Sequence, residues 1–379
     1  MAREIGIGIV GGGYMGKRHA AAMRAVGTVF GHSPRLEGMG GEGRGLSLHP
    51  RLVSVAASSP ESAARYRDAF GFDRAAEDWR ALVEDPAVEA VVVTTYPATH
   101  REIAEAALAL GKPVLCEKPL ADTLENARAM RDAAARAGAV DMVGFNYRRA
   151  PATQLARKLV GDGALGRVTS IRATMLEDFL ADASLPDDPR SQGEAAGAMS
   201  ELGSHGLDLA LALGGDVAAV MARVETIHAE RPGGESNDDR ADLMLRYASG
   251  VSGTLEISRV ALGAKMGYRY EVWGTEGSLR FDGEDQDALH LYRADDPEHL
   301  RGFRRIMIGV AHPDAGAFND GWGHGNGYGD QLVIEARDFL DAIDGGRPVD
   351  TDFAHGFRVA EITAAARRSS AEGRWMELG

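Results

Sequence analysis

The sequence predicts an α/β protein with two domains, the first a doubly wound parallel sheet and the second an open, largely antiparallel sheet. Three observations support this prediction: strand and helix patterns alternate up to about residue 145, a glycine motif follows the first strand pattern, and consecutive strand patterns dominate from residue 150. At about 150 residues per domain, a chain of 379 residues has room for two or three domains. We expect the boundary between 1–146 and 147–379.

The first domain is predicted from short runs of β-branched residues separated by helical patterns. Residues 4–10 (Glu-Ile-Gly-Ile-Gly-Ile-Val) read as a buried strand and 14–25 as the helix that follows it. Further strands are expected at 52–57, 89–94, 113–116 and 140–145, and further helices at 61–70, 100–110 and 124–137. Strands joined through helices pair in parallel. Residues 31–50 are longer than an ordinary connection and are expected to form a surface insertion.

The second domain is predicted from strand patterns that follow one another without intervening helices. Strands are expected at 168–179, 218–228, 241–247, 251–258, 268–273 and 278–281, and helices at 198–213, 330–343 and 353–370. Turn signals such as Ser249-Gly250 and Glu276-Gly277 separate several of the strands. Consecutive strands joined by tight turns pair antiparallel, so this sheet is expected to be largely antiparallel.

Charge and cysteine content exclude several classes of function. The chain carries 56 acidic against 42 basic residues, a net charge of −14, and has no basic run of the kind that nucleic-acid binding requires. Cys116 is the only cysteine, which excludes an intrachain disulfide and a cysteine-based metal cluster. No apolar run reaches the roughly 18 residues of a membrane span, and the apolar stretch near the start is too short for a signal peptide. We expect a cytoplasmic protein without nucleic-acid or membrane partners.

A glycine motif follows the first predicted strand and opens the first predicted helix. Gly11, Gly13 and Gly16 satisfy G-x-G-x-x-G, which has meaning only in this strand-to-helix setting. The first glycine permits a tight turn, the second a close approach of a pyrophosphate, and the third close helix–strand packing. Tyr14 and Met15 begin the helix and are expected to lie beside the same ligand. The motif predicts a bound dinucleotide; the alternative is a glycine turn without a ligand.

The end of the second predicted strand bears on which dinucleotide is bound. An acid that grips the adenosine ribose is expected there, but the chain has Ser58 and Ser59. Serine hydroxyls can donate to a ribose hydroxyl or to a 2′-phosphate, and Arg65 follows in the next helix. This favours NADP over NAD, although either cofactor fits.

Three further segments resemble one enzyme family. They are Glu117-Lys118-Pro119 after a short strand, residues 144–149 (Gly-Phe-Asn-Tyr-Arg-Arg), and residues 197–208 (Gly-Ala-Met-Ser-Glu-Leu-Gly-Ser-His-Gly-Leu-Asp). Together with the glycine motif they are similar to the Gfo/Idh/MocA oxidoreductases over nearly the whole chain. The resemblance implies a dinucleotide-binding Rossmann domain, followed by a substrate-binding and oligomerisation domain whose open sheet joins subunits into a homodimer or homotetramer.

The resemblance also implies a reaction and the residues that perform it. The reaction is reversible hydride transfer between a nicotinamide and a secondary alcohol of a sugar or cyclitol. The family's catalytic lysine corresponds to Lys118, and its aspartate and histidine correspond to Glu201 and His205, with glutamate in place of aspartate. The residues support these roles, because histidine is a natural proton acceptor near neutral pH and positions four apart share one helix face. The alternatives are a surface Glu–His pair and half of a metal site; we expect no metal.

Other candidates surround these residues along the chain. Thr95, His100 and Glu117 are expected on the cofactor side. The expected substrate-binding residues are Asn146, Tyr147, Arg148, Glu177 and Tyr328. Tyr328 is expected either to close over the substrate or to pack within a turn. A second carboxylate, Glu177, in addition to Glu201 favours a substrate with an amine, such as an amino sugar or aminocyclitol.

These expectations combine into an NAD(P)-dependent dehydrogenase that acts on a CH–OH group of a cyclic sugar, anhydrosugar or (amino)cyclitol. Two other functions remain open. One is a glycoside hydrolase or epimerase that uses a tightly held NAD. The other is a sensor or scaffold that binds a dinucleotide without turnover.

Overall fold

The chain divides into two compact units in the computed structural model, which describes residues 3–31, 46–185, 194–232, 234–235, 237–319 and 321–379. The first unit contains Met1–Arg149, Gly316–Asp320 and Gly327–Arg358. The second contains Ala150–Ala315, Gly321–Asn326 and Val359–Gly379. Most of the insertion expected at 31–50 lies outside the described residues, and the second strand already begins at Leu48.

The first unit is built on six parallel strands, as the alternating pattern predicts. They are β1 (Arg3–Val10), β2 (Leu48–Ala56), β3 (Arg74–Ala75), β4 (Ala90–Val93), β5 (Val114–Cys116) and β6 (Asp141–Val143). Their order in the sheet is β3-β2-β1-β4-β5-β6, and every neighbouring pair is parallel. The strand order reverses direction between β1 and β4. In sheets of this kind ligands bind at the carboxyl ends of the strands beside such a switch point.

Helices of the first unit begin and end where local chemistry allows. They are α1 (Tyr14–Val29), α2 (Pro60–Phe70), α3 (Trp79–Glu84), α4 (Pro97–Ala109) and α5 (Leu124–Ala137). Ser59, Asp78 and Thr123 precede α2, α3 and α5, and each side chain accepts a hydrogen bond from an amide of the first turn. Gly71 and Gly138 end α2 and α5 with positive φ.

The second unit is built on nine strands in a mostly antiparallel sheet, which confirms the prediction. The strands after β6 are β7 (Val168–Leu176), β8 (Val217–Glu225), β9 (Glu230–Arg231), β10 (Gly234–Glu235), β11 (Arg240–Tyr247), β12 (Ser252–Ser258), β13 (Gly267–Gly274), β14 (Gly277–Asp282), β15 (Ala288–Arg293), β16 (Arg304–Met307) and β17 (Met376–Glu377). The large sheet has the order β16-β15-β14-β13-β7-β12-β11-β8-β17, while β9 and β10 pair separately. Only the β7–β12 pairing is parallel among these described strands.

One helix against the large sheet is interrupted, although the sequence predicts a continuous helix over 198–213. The remaining helices are α6 (Pro151–Gly161), α7 (Ala198–Glu201), α8 (Gly203–Gly214), α9 (Ala315–Phe318), α10 (Tyr328–Ile343) and α11 (Phe353–Glu372). The break is at Leu202, between α7 and α8. A Cβ on Gly206 would lie 2.8 Å from Leu255 of β12, so α8 packs very closely on the sheet.

The structure places α10 with the first unit, whereas the sequence predicts a second domain that runs from residue 147 to the end. Leu332, Ile334 and Phe339 of α10 are buried in the same core as Ile7 of β1 and Met23 of α1. The first unit therefore extends beyond the predicted boundary, because a late helix supplies part of its apolar core. Among the described helices, none is long and apolar enough to cross a membrane.

Candidate active site

In the glycine loop between β1 and α1, close packing within the protein requires glycine at two positions. Gly11 has φ +107°, and a Cβ there would lie 2.6 Å from the Thr94 hydroxyl. A Cβ on Gly16 would lie 2.2 Å from the carbonyl oxygen of Gly11. The Thr94 hydroxyl also donates a 2.9 Å hydrogen bond to that carbonyl. These contacts hold the loop tightly against the end of β4.

Gly13 differs, because a Cβ there would meet no protein atom within 4 Å. It precedes α1 with an extended backbone, no side chain caps the helix start, and the first turn carries no acidic residue. Uncapped amides at a helix N-terminus, in a positive dipole potential, are suited to phosphate groups. The open approach to Gly13 therefore fits a dinucleotide pyrophosphate. Tyr14 and Met15 form the first turn beside it.

The serines after β2 have different environments. Ser58 is exposed, whereas Ser59 caps α2 by accepting a 3.2 Å hydrogen bond from the amide of Ser62. Glu61 lies at the start of the same helix, where hydrogen bonds from its own amide and from Ser59 lower the pKa of its carboxyl group. An ionised acid thus lies beside the strand end, although it does not occupy the position where the sequence motif would place it.

Lys118 follows β5 directly, at the carboxyl edge of the parallel sheet. It is half-buried, and its peptide bond to Pro119 is cis. The preceding Glu117 is buried, and its Oε2 accepts a 3.1 Å hydrogen bond from the Lys118 amide. Its Oε1 lies 2.8 Å from Nε2 of His19 on α1. Glu117 therefore joins the Lys118 loop to the helix that follows the glycine loop.

His100 connects two loops at the same edge of the sheet. It is fully buried on α4, with Nε2 3.0 Å from the Thr95 carbonyl oxygen and Nδ1 3.2 Å from that of Leu120. Burial lowers the pKa of His100, although the carbonyls favour the protonated ring. Both ring nitrogens face the protein's own backbone, so His100 holds the Thr95 loop against the Lys118 loop.

The predicted substrate-binding residues near 146–148 lie in a short 3₁₀ turn, Asn146–Arg149, with different surroundings. Asn146 is buried and donates a 2.9 Å hydrogen bond to Gln331 of α10. Arg148 is buried and forms a 3.0 Å ion pair with Asp350. Tyr147 is half-buried, so it is the most accessible of the three predicted side chains.

Three predicted tyrosines meet beside the glycine loop. The ring of Tyr328 lies 6.4 Å from that of Tyr14 and 5.9 Å from that of Tyr147. The Tyr328 hydroxyl contacts the Met15 sulfur at 3.5 Å, and burial raises the pKa of this hydroxyl so that it stays neutral. Arg18 lies 5.1 Å above the Tyr14 ring. Arg18 belongs to none of the predicted site residues, although its position four residues after Tyr14 places both on one face of α1.

The second unit carries the predicted acid–base pair. Glu201 ends α7, and the buried His205 lies two residues into α8. The helical segment expected over 198–213 is divided at Leu202, but this residue keeps right-handed helical backbone angles, and its amide donates a 2.9 Å hydrogen bond to the Ala198 carbonyl. Glu177 follows β7, and its amide donates a 2.8 Å hydrogen bond to the Ser258 carbonyl.

Two residues that the sequence analysis missed hold α7 in place. The buried Asp238 accepts a 2.7 Å hydrogen bond from the Met199 amide and forms a 2.8 Å ion pair with Arg367. Arg367 also donates a 3.3 Å hydrogen bond to the Ser200 hydroxyl. A Cβ on Gly197 would lie 2.0 Å from Asp238, which explains why glycine precedes this helix. No local pattern identifies these partners, since they are distant in sequence.

The described residues contain no group of three or more histidine, cysteine, aspartate or glutamate side chains that could hold a metal ion.

Comparison with known proteins identifies both halves of the chain. Residues 5–145 match the model of an oxidoreductase family with an NAD-binding Rossmann fold, and residues 153–280 match that of the GFO/IDH/MocA C-terminal domain. The chain is 37% identical to levoglucosan dehydrogenase of Pseudarthrobacter phenanthrenivorans, over 99% of this chain and 98% of that protein. It is 25% identical to myo-inositol 2-dehydrogenase of Thermotoga maritima, over 98% of each.

A solved structure agrees over the same length. Levoglucosan dehydrogenase in complex with NADH and levoglucosan aligns with a TM-score of 0.93 at 37% identity, covering 99% of each chain. The resemblance that the sequence motifs indicated is thereby confirmed from end to end. The chain belongs to the Gfo/Idh/MocA family of oxidoreductases.

Proposed function

We propose that the protein is an NAD-dependent dehydrogenase that interconverts a secondary alcohol and a ketone on a cyclic sugar, anhydrosugar or (amino)cyclitol. The observation that carries the proposal is the position of Lys118. It follows β5 at the carboxyl edge of the parallel sheet, and the glycine loop follows β1 at that edge, with only β4 between the two strands. A proton-handling side chain and a phosphate cradle thus share the edge at which such sheets bind ligands.

The chain offers a consistent set of cofactor contacts. The amides near Gly13 would hold the phosphates, and Ser58 would donate to the adenosine ribose. A bound nicotinamide dinucleotide supplies the hydride acceptor or donor. We propose NAD rather than NADP, because the ionised Glu61 beside Ser59 would repel a 2′-phosphate. Nicotinamide dinucleotides are supplied and recycled inside the cell, so we also propose that the protein is cytoplasmic.

Three side chains are assigned to the alcohol. Oxidation requires removal of the hydroxyl proton, and we assign His205 as the general base for this step. Lys118 would donate to the reacting oxygen and stabilise the negative charge that develops there. Glu201 would accept a hydrogen bond from a neighbouring hydroxyl and orient the ring. Together they supply a base, a cation and an orienting acceptor, which is what dehydrogenation of a polyol needs.

The substrate is proposed to bind through the residues named from the sequence. Tyr147 and Tyr328 offer aromatic faces, and Thr95 and His100 shape the cofactor side. Asn146 and Arg148 would support the substrate site indirectly, because the contacts described for them are with other residues of the first unit. Glu177 is proposed to face the substrate as a second carboxylate. It is this residue, together with Glu201, that keeps amine-bearing cyclitols among the candidate substrates.

The test is an assay of the purified protein with NAD or NADP against levoglucosan, other cyclic sugars, inositols and aminocyclitols. We expect NAD to be reduced in the presence of at least one uncharged or amine-bearing cyclic substrate. The near-ultraviolet absorbance of the NADH formed measures this reduction. Dinucleotide binding without turnover of any substrate would instead indicate a sensor or scaffold. Cleavage or epimerisation of a glycoside without net NADH would indicate an NAD-assisted hydrolase or epimerase.

We further propose that a second copy of the chain covers the open face of the nine-stranded sheet, giving a homodimer or homotetramer. A shallow depression of about 870 Å³ lies on this face. Basic residues such as Arg172 and Arg223, acidic residues such as Asp242 and Glu256, and the half-exposed Met244 line it. A surface with both charge signs and apolar side chains can complement its own copy across a two-fold axis.

The oligomer is tested by light scattering after size-exclusion chromatography. Met244→Glu should lower the molar mass of the particle, because it places a charge in the proposed interface. Leu262→Glu is the matched control, since Leu262 is 85% exposed in a loop outside the depression. An unchanged mass in Met244→Glu, or an equal change in both variants, would contradict the proposed interface.

A further inference from the structure

We propose that His19 is a positioning residue for Lys118: it clamps the Glu117 carboxylate and thereby fixes the backbone that presents the lysine. The inference rests on the proposed dehydrogenase function, which assigns Lys118 to the reacting alcohol. His19 belongs to none of the sequence motifs, and none of the proposed acid–base steps uses it. What brings it to the site is a contact between residues 98 positions apart.

The geometry divides the two oxygens of Glu117 between two elements. Oε1 lies 2.8 Å from Nε2 of His19 on α1, and Oε2 accepts the 3.1 Å hydrogen bond from the Lys118 amide. His19 is 1% and Glu117 5% exposed, so water cannot readily replace either partner. A carboxylate that accepts on both sides acts as a rigid link from α1 to the Lys118 backbone.

The charges around His19 favour its protonated form. Burial by itself lowers the pKa of His19, but the hydrogen bond and charge of Glu117, with a further contribution from Glu335, raise it above the ordinary value. Glu335 of α10 is fully buried and has Arg149 at 3.5 Å. Breaking a buried ion pair leaves one charge without compensation and is strongly destabilising. Without His19, the Glu117 carboxylate would lower its free energy by rotating away from this buried position. The Lys118 amide would then lose its acceptor.

The surroundings leave Glu117 little freedom as long as His19 is present. A Cβ on Gly144 would lie 3.2 Å from Oε1, so the backbone closes that side of the carboxylate. Further along the loop, the Leu120 carbonyl contacts His100 at 3.2 Å. The two histidines therefore secure opposite ends of the Lys118 loop, His19 through a side chain and His100 through the backbone.

Two substitutions at position 19 separate this role from packing alone. In His19→Gln the amide nitrogen can replace Nε2 as a donor, whereas His19→Leu fills similar space without a donor. We expect His19→Leu to lower kcat at least tenfold on the substrate identified for the wild type, and to change the Kd of NADH by less than about threefold. His19→Gln should recover most of the kcat. His299→Leu, at an exposed position, controls for the loss of a histidine.

The only cysteine of the chain provides a readout that needs no substrate. Cys116 immediately precedes Glu117, is fully buried, and has a thiol pKa that burial raises well above its usual range. A low thiolate fraction and burial together keep such a thiol unreactive. With an aromatic disulfide reagent, we expect slow labelling of the wild type and of His19→Gln, and faster labelling of folded His19→Leu.

Two results would overturn the proposal: wild-type kcat with a protected Cys116 in His19→Leu, or equal losses of kcat and NADH affinity in both variants. Should His19→Leu fail to fold by circular dichroism, Glu117→Gln takes its place. It keeps the side-chain shape but removes the charge that holds His19. We expect lower kcat and faster Cys116 labelling, and wild-type values for both would again overturn the proposal. If the wild type oxidised no polyol, the proposed function would fail, while the thiol reaction would still test the clamp.

Discussion

The carboxylate of Asp238 holds the main chain at Met199: its Oδ2 accepts a 2.7 Å hydrogen bond from the Met199 amide. This contact caps α7, the four-residue helix that ends in Glu201. No side chain at the preceding Gly197 can serve as the cap, so the acceptor comes from 39 residues further along the chain. The position of Glu201 therefore depends on a buried carboxylate outside its own segment.

Replacing Asp238 should destabilise the second unit and displace Glu201. Asp238→Ala removes the cap and leaves the Arg367 guanidinium without its 2.8 Å partner. We expect the free energy of unfolding to fall by about 3 kcal/mol and kcat to fall as well. Asp238→Asn can still accept from Met199 and should lose less stability. Urea denaturation of the variants measures this, and equal stability of Asp238→Ala and wild type would contradict it.

Gly13 and Gly16 should respond oppositely to the same added methyl group. Gly13→Ala places a Cβ in open space, so we expect near wild-type stability but weaker NADH binding, because the methyl group obstructs the phosphates. Gly16→Ala places a Cβ 2.2 Å from the Gly11 carbonyl and should destabilise the fold itself. Thermal melts and NADH titrations distinguish the two effects. Unaltered NADH affinity in Gly13→Ala would mean that the pyrophosphate lies elsewhere.

Lys118→Met should remove a donor from the reacting oxygen and preserve the shape of the side chain. We expect kcat to fall by a factor of about 10² to 10⁴, with little change in NADH affinity. Lys158→Met is the matched control, because Lys158 is exposed and forms a 2.8 Å ion pair with Asp162, which is also exposed. Steady-state kinetics on the substrate identified for the wild type measures both. Comparable kcat values for the two variants would remove Lys118 from the mechanism.

His205→Asn tests the general base in the same assay. Asparagine cannot take up a proton near neutral pH, so we expect a loss of kcat of about 10² or more with NADH affinity retained. His299→Asn, a substitution of an exposed histidine outside the proposed interface, serves as the control. If His205→Asn turned over like the control, the base would have to be another group.

The buried acid Glu335 should make stability depend on pH. Burial raises the pKa of Glu335 to about 7 from its ordinary value of 4.5, against the opposing charges of Arg149 and His19. The folded state therefore keeps this proton at pH values where the unfolded chain has released it. The free energy of unfolding should fall as the pH rises from about 4.5 to about 7, by an amount on the order of 3 kcal/mol from this group.

Glu335→Gln should abolish that contribution, because an amide does not titrate. Above pH 7 we expect the variant to equal or exceed the wild type in stability, since Arg149 keeps Asp338 as a 3.0 Å partner. Urea denaturation at several pH values across this range measures the difference. The same slope of stability against pH in both proteins would exclude Glu335 as its source.

The amino-acid sequence alone determined the features that depend on neighbours along the chain. The alternation of strands and helices, the glycine loop between β1 and α1, and the placement of Lys118 after β5 are all readable, because periodicity, caps and turns are local. The glycine motif, for example, is recognised from the six residues Gly11 to Gly16 alone. The family followed from these segments because each is a short run of adjacent residues.

Only the tertiary structure decided which distant residues meet. The apolar face of α10 is visible in the sequence, but the sheet that it covers is not. For this reason the sequence assigns Gly327–Arg358 to the second domain, whereas this segment belongs to the first compact unit. The contacts of His19 with Glu117 and of Asp238 with Met199 join residues 98 and 39 positions apart. A buried charge requires a partner wherever the fold can bring one, and periodicity along the chain carries no information about that choice.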